Sequence, residues 1–480
     1  MSKLVFWVLD VGQGSGNFIQ VFDDSDKLVG SVLIDLGSER NKATAGFPSA
    51  EFVAAMLGVP GTLDLVVLSH SDSDHINLIP DLLGLFKKTS DLKINKVIYG
   101  GDLARYAKRG GTNVLARLHA HMPSGNAPTP TPPKESSFAG PAPYTPVFVL
   151  GDLKVWILMA NAAESGAAPS SGGAKKRKTG DGYNTNTNSV VVLLGFRKAQ
   201  FVVTGDATGT TLFQLNDVVT PFVAANYLNE VVMLTLPHHG SATTTFDVRG
   251  GVDGKDNLKT FVDNTKPRSL TGSADKVRTF KHPSAKVMEY FWTGLTRGKY
   301  WKDPTLGDRH FYTAYFTPND DYTYKDGKGT LYKWPSDAWW YSVQTASDIY
   351  TNMYVYADQM GGQQEIVLPP NSSALEVPDK PMPPRALGVA WKYTVTDTVT
   401  LEMQVNRPGY ERMVAARGFV PAGWPDPATL GEAQWISLPS ADAAVVDDSR
   451  PAAAAPPEPA PTRRTAPTSQ RPLPRLRELP

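Results

Sequence analysis

Five short apolar runs, far apart in the chain, each stop at or start beside a polar side chain of the metal-ligand type. "SVLIDLG" (Ser31–Gly37) stops at Asp35, "LDLVVLSH" (Leu63–His70) ends in His70, and Asn188 stands just before "SVVVLLGF" (Ser189–Phe196). "AQFVVTGD" (Ala199–Asp206) ends in Asp206, and "EVVMLTLPHHGS" (Glu230–Ser241) carries His238 and His239. Such β-branched apolar runs read as buried strands. Strands that run parallel through a core deliver their ends to one edge, so residues distant in sequence converge there.

The rest of the chain fits a mixed α/β protein. Further strands are expected at Leu4–Asp10, Asn17–Phe22, Lys96–Gly101, Pro146–Leu150 and Leu153–Ala160. Ala50–Leu57 reads as a helix, as does "HINLIPDLLGLF", with Ile76, Ile79, Leu82, Leu83 and Phe86 at helical spacing. A helical stretch follows Asp206, and another helix is expected over Ser284–Gly294. Two low-complexity stretches, about 122–146 (Pro-rich) and 164–182, read as surface insertions in a first domain spanning 1–310. Residues 311–440 are rich in Tyr and Trp and read as a β-rich extension. Residues 441–480 are rich in Ala, Pro and Arg, which cannot bury enough surface to fold, and are expected to be a disordered tail.

Composition limits the chemistry. A chain of 480 residues can bury a sizeable core. Its formal charge is +1, from 48 Lys and Arg against 47 Asp and Glu, so global charge points to no partner. It has no cysteine, which removes disulfides and thiolate metal sites and leaves His, Asp, Glu and Asn as ligands. No apolar run approaches the ~20 residues of a membrane span, and the N-terminus has no long apolar region or small-residue cleavage site. A cytoplasmic protein without membrane insertion is expected.

The densest constellation is His70-x-Asp72-x-Asp74-His75 in "LSHSDSDHINLIPDLL" (Leu68–Leu83). On a tight loop after a strand, alternate side chains point the same way, while the adjacent Asp74 and His75 diverge towards a second position. This arrangement can feed two metals, which in hydrolytic sites stand about 3.5–4 Å apart. Asp206, with two oxygens and a strand of its own, would suit a bridging carboxylate.

Taken together the motifs resemble the metallo-β-lactamase superfamily, and within it the ComEC-type hydrolase domain found on the DNA-uptake channel of competent bacteria. The resembling residues are "LDVGQGSGNFI" (Leu9–Ile19), "VLIDLGS" (Val32–Ser38), the Leu68–Leu83 stretch, "TNSVVVLL" (Thr187–Leu194), "FVVTGDAT" (Phe201–Thr208), "LTLPHHGS" (Leu234–Ser241) and "RTFKHPSAKVMEYF" (Arg278–Phe291). They run over roughly residues 3–293. The resemblance implies an α/β fold, the αββα sandwich, and two divalent metal ions. His70 and Asp72 would serve the first metal, Asp74 and His75 the second, and Asp206 would bridge. His239 fits the superfamily's last ligand, with His238 a near neighbour, and Asp35 fits a buried residue that orients the site. The chain departs from the wider superfamily at Asp72, where a His is usual, and the Asn188–Ser189 region stands in for a separate His ligand. Both changes look usual for the ComEC branch and shift the donors towards oxygen, so Mn²⁺, and Mg²⁺ as well, become candidates beside Zn²⁺. Ser15 stands where the branch often carries an acid.

The resemblance implies a metal-activated water attacking a phosphodiester of DNA or RNA, with Asp74 orienting or deprotonating the water. His282 would approach the substrate; its other reading is the start of the helix opened by Pro283 or Ser284. Lys175, Lys176, Arg177 and Lys178, with Arg197, Lys198 and the "DLARYAKRGG" stretch (Asp102–Gly111), can contact phosphates. The basic run reads equally as a solvated loop. Two other readings stand beside the nuclease: a hydrolase of a small phosphodiester, ester or lactam, and a non-catalytic binding module on the same scaffold. Protein partners, in defence or DNA processing, are a further expectation.

Overall fold

Along β1 (Lys3–Leu9), Leu4, Phe6 and Val8 face one side and Val5, Trp7 and Leu9 the other, and all six are buried. A strand apolar on both faces belongs in a sheet covered on both sides. The computed structural model describes residues 1–271 other than 10, 12, 39–48, 109–112, 133–134, 139–143, 163–184, 225–227, 229–230, 248–252 and 268. Beyond these it describes 287, 290, 310–315, 323–325, 331–333, 340–345, 389–397, 399–406, 426–430 and 435–439. The insertion at 164–182, His282 and the tail at 441–480 lie outside the described residues, as does the expected helix over 284–294 except for 287 and 290.

The strands continue as β2 (Gly14–Phe22), β3 (Leu28–Ser38), β4 (Gly61–Leu63), β5 (Leu65–Leu68), β6 (Leu92–Ile94), β7 (Val97–Tyr99), β8 (Thr129–Pro130), β9 (Phe148–Leu150) and β10 (Leu153–Met159). They are followed by β11 (Val191–Phe196), β12 (Ala199–Val203), β13 (Val231–Thr235), β14 (Ser269–Thr271), β15 (His310–Tyr315), β16 (Thr323–Lys325), β17 (Leu331–Lys333) and β18 (Trp340–Thr345). The last three are β19 (Val389–Val395), β20 (Val399–Asn406) and β21 (Trp435–Pro439). A nine-stranded sheet has the order β21-β20-β19-β1-β2-β3-β5-β7-β8, and a six-stranded sheet β14-β13-β12-β11-β10-β9. The pairs β15–β18, β16–β17 and β4–β6 stand apart.

The inner faces of the two large sheets pack on each other. Leu4, Phe6 and Val8 meet Val192, Leu194, Phe201 and Val203, and Phe6 stacks on Phe201 with ring centres 4.7 Å apart. Such a pair adds about 0.5–1.5 kcal/mol beyond the area it buries. The outer face of the nine-stranded sheet is covered by α1 (Ser49–Leu57), α3 (Ile79–Gly84) and α5 (Val114–His119). The outer face of the six-stranded sheet is covered by α6 (Gly209–Ala224) and α8 (Gly254–Thr265). The chain is thus a four-layered α/β sandwich. The short helices α2 (Ser73–Ile76), α4 (Leu103–Lys108) and α7 (Ala242–Thr245) lie at loops.

Two expectations change in detail. The single helix read over His75–Phe86 is broken into α2 and α3. Pro80, in the first turn of α3, lacks the N–H that a continuous helix would use. Asn77 instead ties the break to β3, accepting from the Ser38 N–H at 2.8 Å and donating to the Ser38 carbonyl at 2.5 Å. Residues 389–439, read as part of an extension, supply β19, β20 and β21 to the nine-stranded sheet, with Leu4 opposite Val395. Tyr393 packs edge-on against both Phe6 and Phe201 between the sheets.

Within each sheet the strands that lead into the predicted site are parallel: β3 with β5, and β12 with β13. The loop after β5 is held close to β3 by Gly37. A Cβ there would come within 2.4 Å of the Ile76 nitrogen and 2.5 Å of the carbonyl carbons of Asp74 and His75. Gly37→Ala is therefore expected to cost about 1–3 kcal/mol of unfolding free energy, because backbone rather than a flexible side chain has to move. A lowered urea midpoint with unchanged slope would show it; wild-type stability would mean that α2 is not seated on β3 as described.

Candidate metal centre

Asp35, near the end of β3, is fully buried in the left-handed region at φ 56°, a conformation uncommon outside glycine. Its carboxylate accepts the Ser69 backbone N–H at 2.7 Å and the Ser69 hydroxyl at 2.7 Å. It also lies 2.8 Å from His75 Nδ1. A carboxylate there keeps the proton on Nδ1 and turns the lone pair of Nε2 outward, the usual arrangement behind a metal-binding imidazole. Ser69 Oγ also stands 3.0 Å from His70 Nδ1, with Ser189 Oγ at 3.3 Å on the same nitrogen. Both histidines of the loop are thus held from behind.

Asp206 follows β12, and its backbone N–H donates to Ser189 Oγ at 3.0 Å. The turn before it approaches the His70 loop closely. Gly205, at φ 51°, leaves no room for a Cβ, which would fall 2.8 Å from Ser69 Cβ. The Gly205 carbonyl accepts the N–H of His238 at 3.1 Å, tying this turn to the one after β13. There His238 and His239 are consecutive left-handed residues, at φ 44° and 52°. Non-glycine residues held this way cost of order 1–3 kcal/mol each and concentrate at functional sites.

The two oxygens of Asp206 face different partners. Oδ1 lies 3.1 Å from His75 Nε2 and 3.1 Å from His239 Nε2. His239 Nε2 is 3.3 Å from Asp74 Oδ2 and 3.4 Å from His75 Nε2. Oδ2 lies 3.5 Å from His70 Nε2 and 3.6 Å from His238 Nε2, and His70 Nε2 is 3.8 Å from Asp72 Oδ2. Asp74, His75, Asp206 and His239 offer ligand atoms all within 4.8 Å of one another, and all four are buried. His70 Nε2 and Asp206 Oδ1 are buried yet make no hydrogen bond. Two donors sharing a cation at about 2.1 Å stand about 3.0–3.4 Å apart, which the four separations given above, 3.1, 3.1, 3.3 and 3.4 Å, match. The donor set therefore fits a divalent cation.

Charge balance tells the same story. Burial would push His239 down, but the Asp206 and Asp74 carboxylates raise it to about 10. His75 is likewise lifted well above its usual value by Asp206 and Asp35 against burial. Burial would raise Asp74, but the contact with His239 and the charge of His75 hold it at about 2. Asp206 is kept well below the usual carboxylate range, with the charges of His238, His239 and His75 outweighing burial. Burial lowers His238, and Asp206 only partly offsets this. Without metal, then, protons on His75 and His239 balance Asp74 and Asp206.

The structure brings together His70, Asp72, Asp74, His75, Asp206, His238 and His239 with Asp35 behind them. Asn188 is half-buried and its backbone N–H donates to the Thr185 carbonyl. The contacts described from this stretch to the histidines come from its neighbours, Ser189 to His70 and Asn186 Nδ2 to His238 at 3.4 Å. Thr244 Oγ1 lies 2.8 Å from His238 Nδ1. Sequence reasoning missed Ser69, Asn186 and Thr244, because a hydroxyl or amide beside a ligand carries no spacing signal of its own. Ser15 lines a small cavity with Asn17, His75, Thr235 and His239. Arg197 and Lys198 sit at the opposite end of β12, about 16 Å of strand away. There Arg197 pairs with Asp397 at 2.6 Å, so Arg197 does not serve this site.

The architecture and centre define a four-layered α/β protein with a buried His/Asp cluster at the edge where its two sheets meet. No family model matches the chain, and no curated protein matches it. Among solved structures it is similar to the metallo-β-lactamase fold protein YhfI from Bacillus subtilis, at 13% identity over 61% of this chain and 92% of that one, TM-score 0.32. It is also similar to unliganded yeast PDE1, at 10% identity over 60% and 93%, TM-score 0.35. A third is a diphosphatase from the PhnP family, at 12% identity over 57% and 87%, TM-score 0.30. Among the described residues no helix is long and apolar enough to cross a membrane.

Asp35→Asn would remove the charge that fixes His75 and is expected to weaken divalent metal binding about 10–100-fold, read by competition with a chromogenic chelator. In metal-free protein, His239 adds stability that is complete below about pH 6.5 and lost as pH rises towards about 10. Asp74 adds stability that is complete above about pH 3.9 and lost as pH falls towards about 2. Chelator-treated protein should therefore resist urea best between about pH 4 and 6.5. Added metal, which competes with the protons on His75 and His239, should move that optimum upward. Urea titrations across pH, with and without metal, check both; a pH-independent midpoint would contradict the charge balance.

Proposed function

We propose that the chain is a metal-dependent hydrolase of the metallo-β-lactamase type that cleaves phosphodiester bonds of DNA or RNA. The observation that carries this reading is the Asp206 carboxylate, whose two oxygens face separate pairs of imidazoles, His75 with His239 and His70 with His238. A pair of divalent ions, Zn²⁺ or Mn²⁺ (or Mg²⁺), supplies when bound a water of near-neutral pKa and a Lewis acid for the phosphoryl oxygen.

The chain's own residues do the rest. Asp35 and Ser69 hold both loop histidines from behind, so that their Nε2 atoms face forward without searching rotamers. Asp74, kept ionised by His239 and His75, orients or deprotonates the attacking water, and a carboxylate held at about 2 favours the orienting role. Burial of His70, His75 and Asp206 excludes bulk water from the rear. The open side is that of Asp72 and His238, whose side chains are 16% and 12% exposed against 0% for His70.

Arg105 on α4 supports an anionic substrate. It is half-buried and donates to Thr185, the residue before the Asn186 that touches His238. Asn186 and Thr244 line the same side. The Lys175–Lys178 run and His282 lie outside the described residues. We keep them as phosphate-binding candidates on their sequence alone.

Asp206→Asn and His75→Ala are each expected to lower kcat/KM on single-stranded or plasmid DNA with Mn²⁺ by about 100-fold or more, with the fold retained by circular dichroism. Parallel assays with bis-p-nitrophenyl phosphate and a chromogenic lactam separate the substrate classes. Turnover of the lactam alone would overturn the phosphodiesterase reading, and a purified protein that binds no divalent metal would overturn the hydrolase.

A further inference from the structure

Charge is spread unevenly along the chain. Residues 87–117 hold eight Lys or Arg against two Asp, whereas the whole chain has a formal charge of +1. The fold of this segment sends several of its cations outward. On β6, Lys93 is exposed between the buried Leu92 and Ile94. On α5, Val114, Leu115 and Leu118 pack inward and Arg117 is exposed. Lys87 and Lys88, just past α3, are exposed after the buried Phe86. Both α3 and α4 pack on α5. The chain leaving α5 is tied to β6, where the Ile94 N–H donates to the His121 carbonyl at 2.9 Å. These four cations therefore share the outer layer of the nine-stranded sheet.

The acids of the segment bond to backbone. Asp91 accepts the Lys88 N–H at 3.0 Å, and Asp102 accepts the Ala104 N–H at 2.9 Å. Among the described residues Lys87, Lys88, Lys93 and Arg117 form no ion pair. Lys3, Arg197 and Lys259, by contrast, pair with Asp26, Asp397 and Asp263. Like charges held on one layer repel one another, and an anion laid across them relieves that repulsion. The layer also leads to the centre. Arg105 on α4 donates to Thr185, the residue before the Asn186 that reaches His238. Burial pushes the hydroxyl of the next residue, Tyr106, well above its usual value, and the charges of Asp35 and Asp72 add to the rise. The helix α4 thus adjoins both the centre and α5.

We propose, resting on the phosphodiesterase reading above, that Lys87, Lys88, Lys93 and Arg117 form a binding face for the phosphate backbone of double-stranded nucleic acid, separate from the centre and linked to it by α4. The aromatic side chains decide between duplex and single strand. Sites for single strands combine cations with exposed rings on which bases stack. Here Phe86, Tyr99 and Tyr106, the aromatic residues of 86–117, are all buried. A duplex keeps its bases stacked inside and presents phosphates, about one charge per 1.7 Å of axis. Contacts to phosphate position a substrate without reading its sequence. The face therefore raises affinity for long substrates and leaves the hydrolysis of a small phosphodiester unchanged.

The test reads binding apart from cleavage. A labelled duplex of about 20 base pairs is titrated with the full-length protein in chelator, and anisotropy is followed across a range of salt concentrations. Each phosphate contact adds about 0.9 to the slope of log affinity against log salt, so Lys93→Gln/Arg117→Gln should lower that slope by about 2. Adding Lys87→Gln and Lys88→Gln should lower it by about 3–4 and weaken binding about 10-fold or more at about 0.1 M salt. Lys255→Gln/Lys259→Gln, on α8 in the other outer layer, removes as many charges as the first pair and should leave affinity within about twofold. Turnover of bis-p-nitrophenyl phosphate with Mn²⁺ should stay within about twofold of wild type in every variant, which also reports an intact fold. Wild-type duplex affinity and slope in the fourfold variant would overturn the proposal, as would an equal loss in the α8 control. A single strand of the same length binding as tightly as the duplex would overturn the choice of duplex. Binding to phosphatidylserine vesicles but not to duplex, lost in the fourfold variant, would replace it with a membrane surface. A wild type that binds duplex as described but turns over no phosphodiester would overturn the hydrolase and leave this face standing.

Discussion

The contact on which the rest of the centre depends is the buried Asp35 carboxylate. A charge with no solvent exposure is costly unless every oxygen is satisfied. Here a backbone N–H, a hydroxyl and an imidazole satisfy it, and each comes from the loop after β5. The cost of burying Asp35 is therefore offset only when that loop is in place. Two of these contacts set the position of Ser69, and Ser69 Oγ in turn reaches His70 Nδ1. One acid thus fixes two histidines, one directly and one through a hydroxyl. Those two imidazoles face opposite oxygens of Asp206, so the geometry of both sides of the centre traces back to one side chain.

Close backbone approach completes the frame. Gly37 lets α2 lie against β3, and Gly205 lets the Asp206 turn lie against Ser69. Any side chain at either place would separate the loops that carry the donors. The cluster is assembled across the two sheets, Asp35 and the His70 loop from one and Asp206 with His238 and His239 from the other. Its precision therefore rests on the inter-sheet core, where Phe6, Phe201 and Tyr393 lock the sheets together.

Much of this was legible in the sequence, and the parts that were not share a cause. A buried strand ending in Asp or His shows locally, because apolar runs and polar stops are local patterns, so the strands before Asp35, His70, Asp206 and His238 could be placed. The break at Asn77 was hidden because helical spacing continues through it, and the side chain that breaks it bonds to Ser38, 39 residues away. The pairing of β19 with β1 joins residues nearly four hundred positions apart, and no periodicity reports a partner at that distance. Nor did the spacing of "PHHGS" decide which histidine turns which way. That depends on two left-handed residues and on Thr244, and backbone hand is not written in residue type unless the residue is glycine.

The asymmetry of the centre follows from where it is covered. On the Oδ1 side His75 is backed by the Asp35 carboxylate. On the Oδ2 side the contacts are to hydroxyls and an amide, Ser69 and Ser189 at His70 Nδ1, and Thr244 and Asn186 at His238. Neutral partners orient an imidazole without raising its basicity as a carboxylate does, so the side that faces solvent is also the side held by the weaker supports. Both sides of the cluster meet at a single carboxylate, that of Asp206.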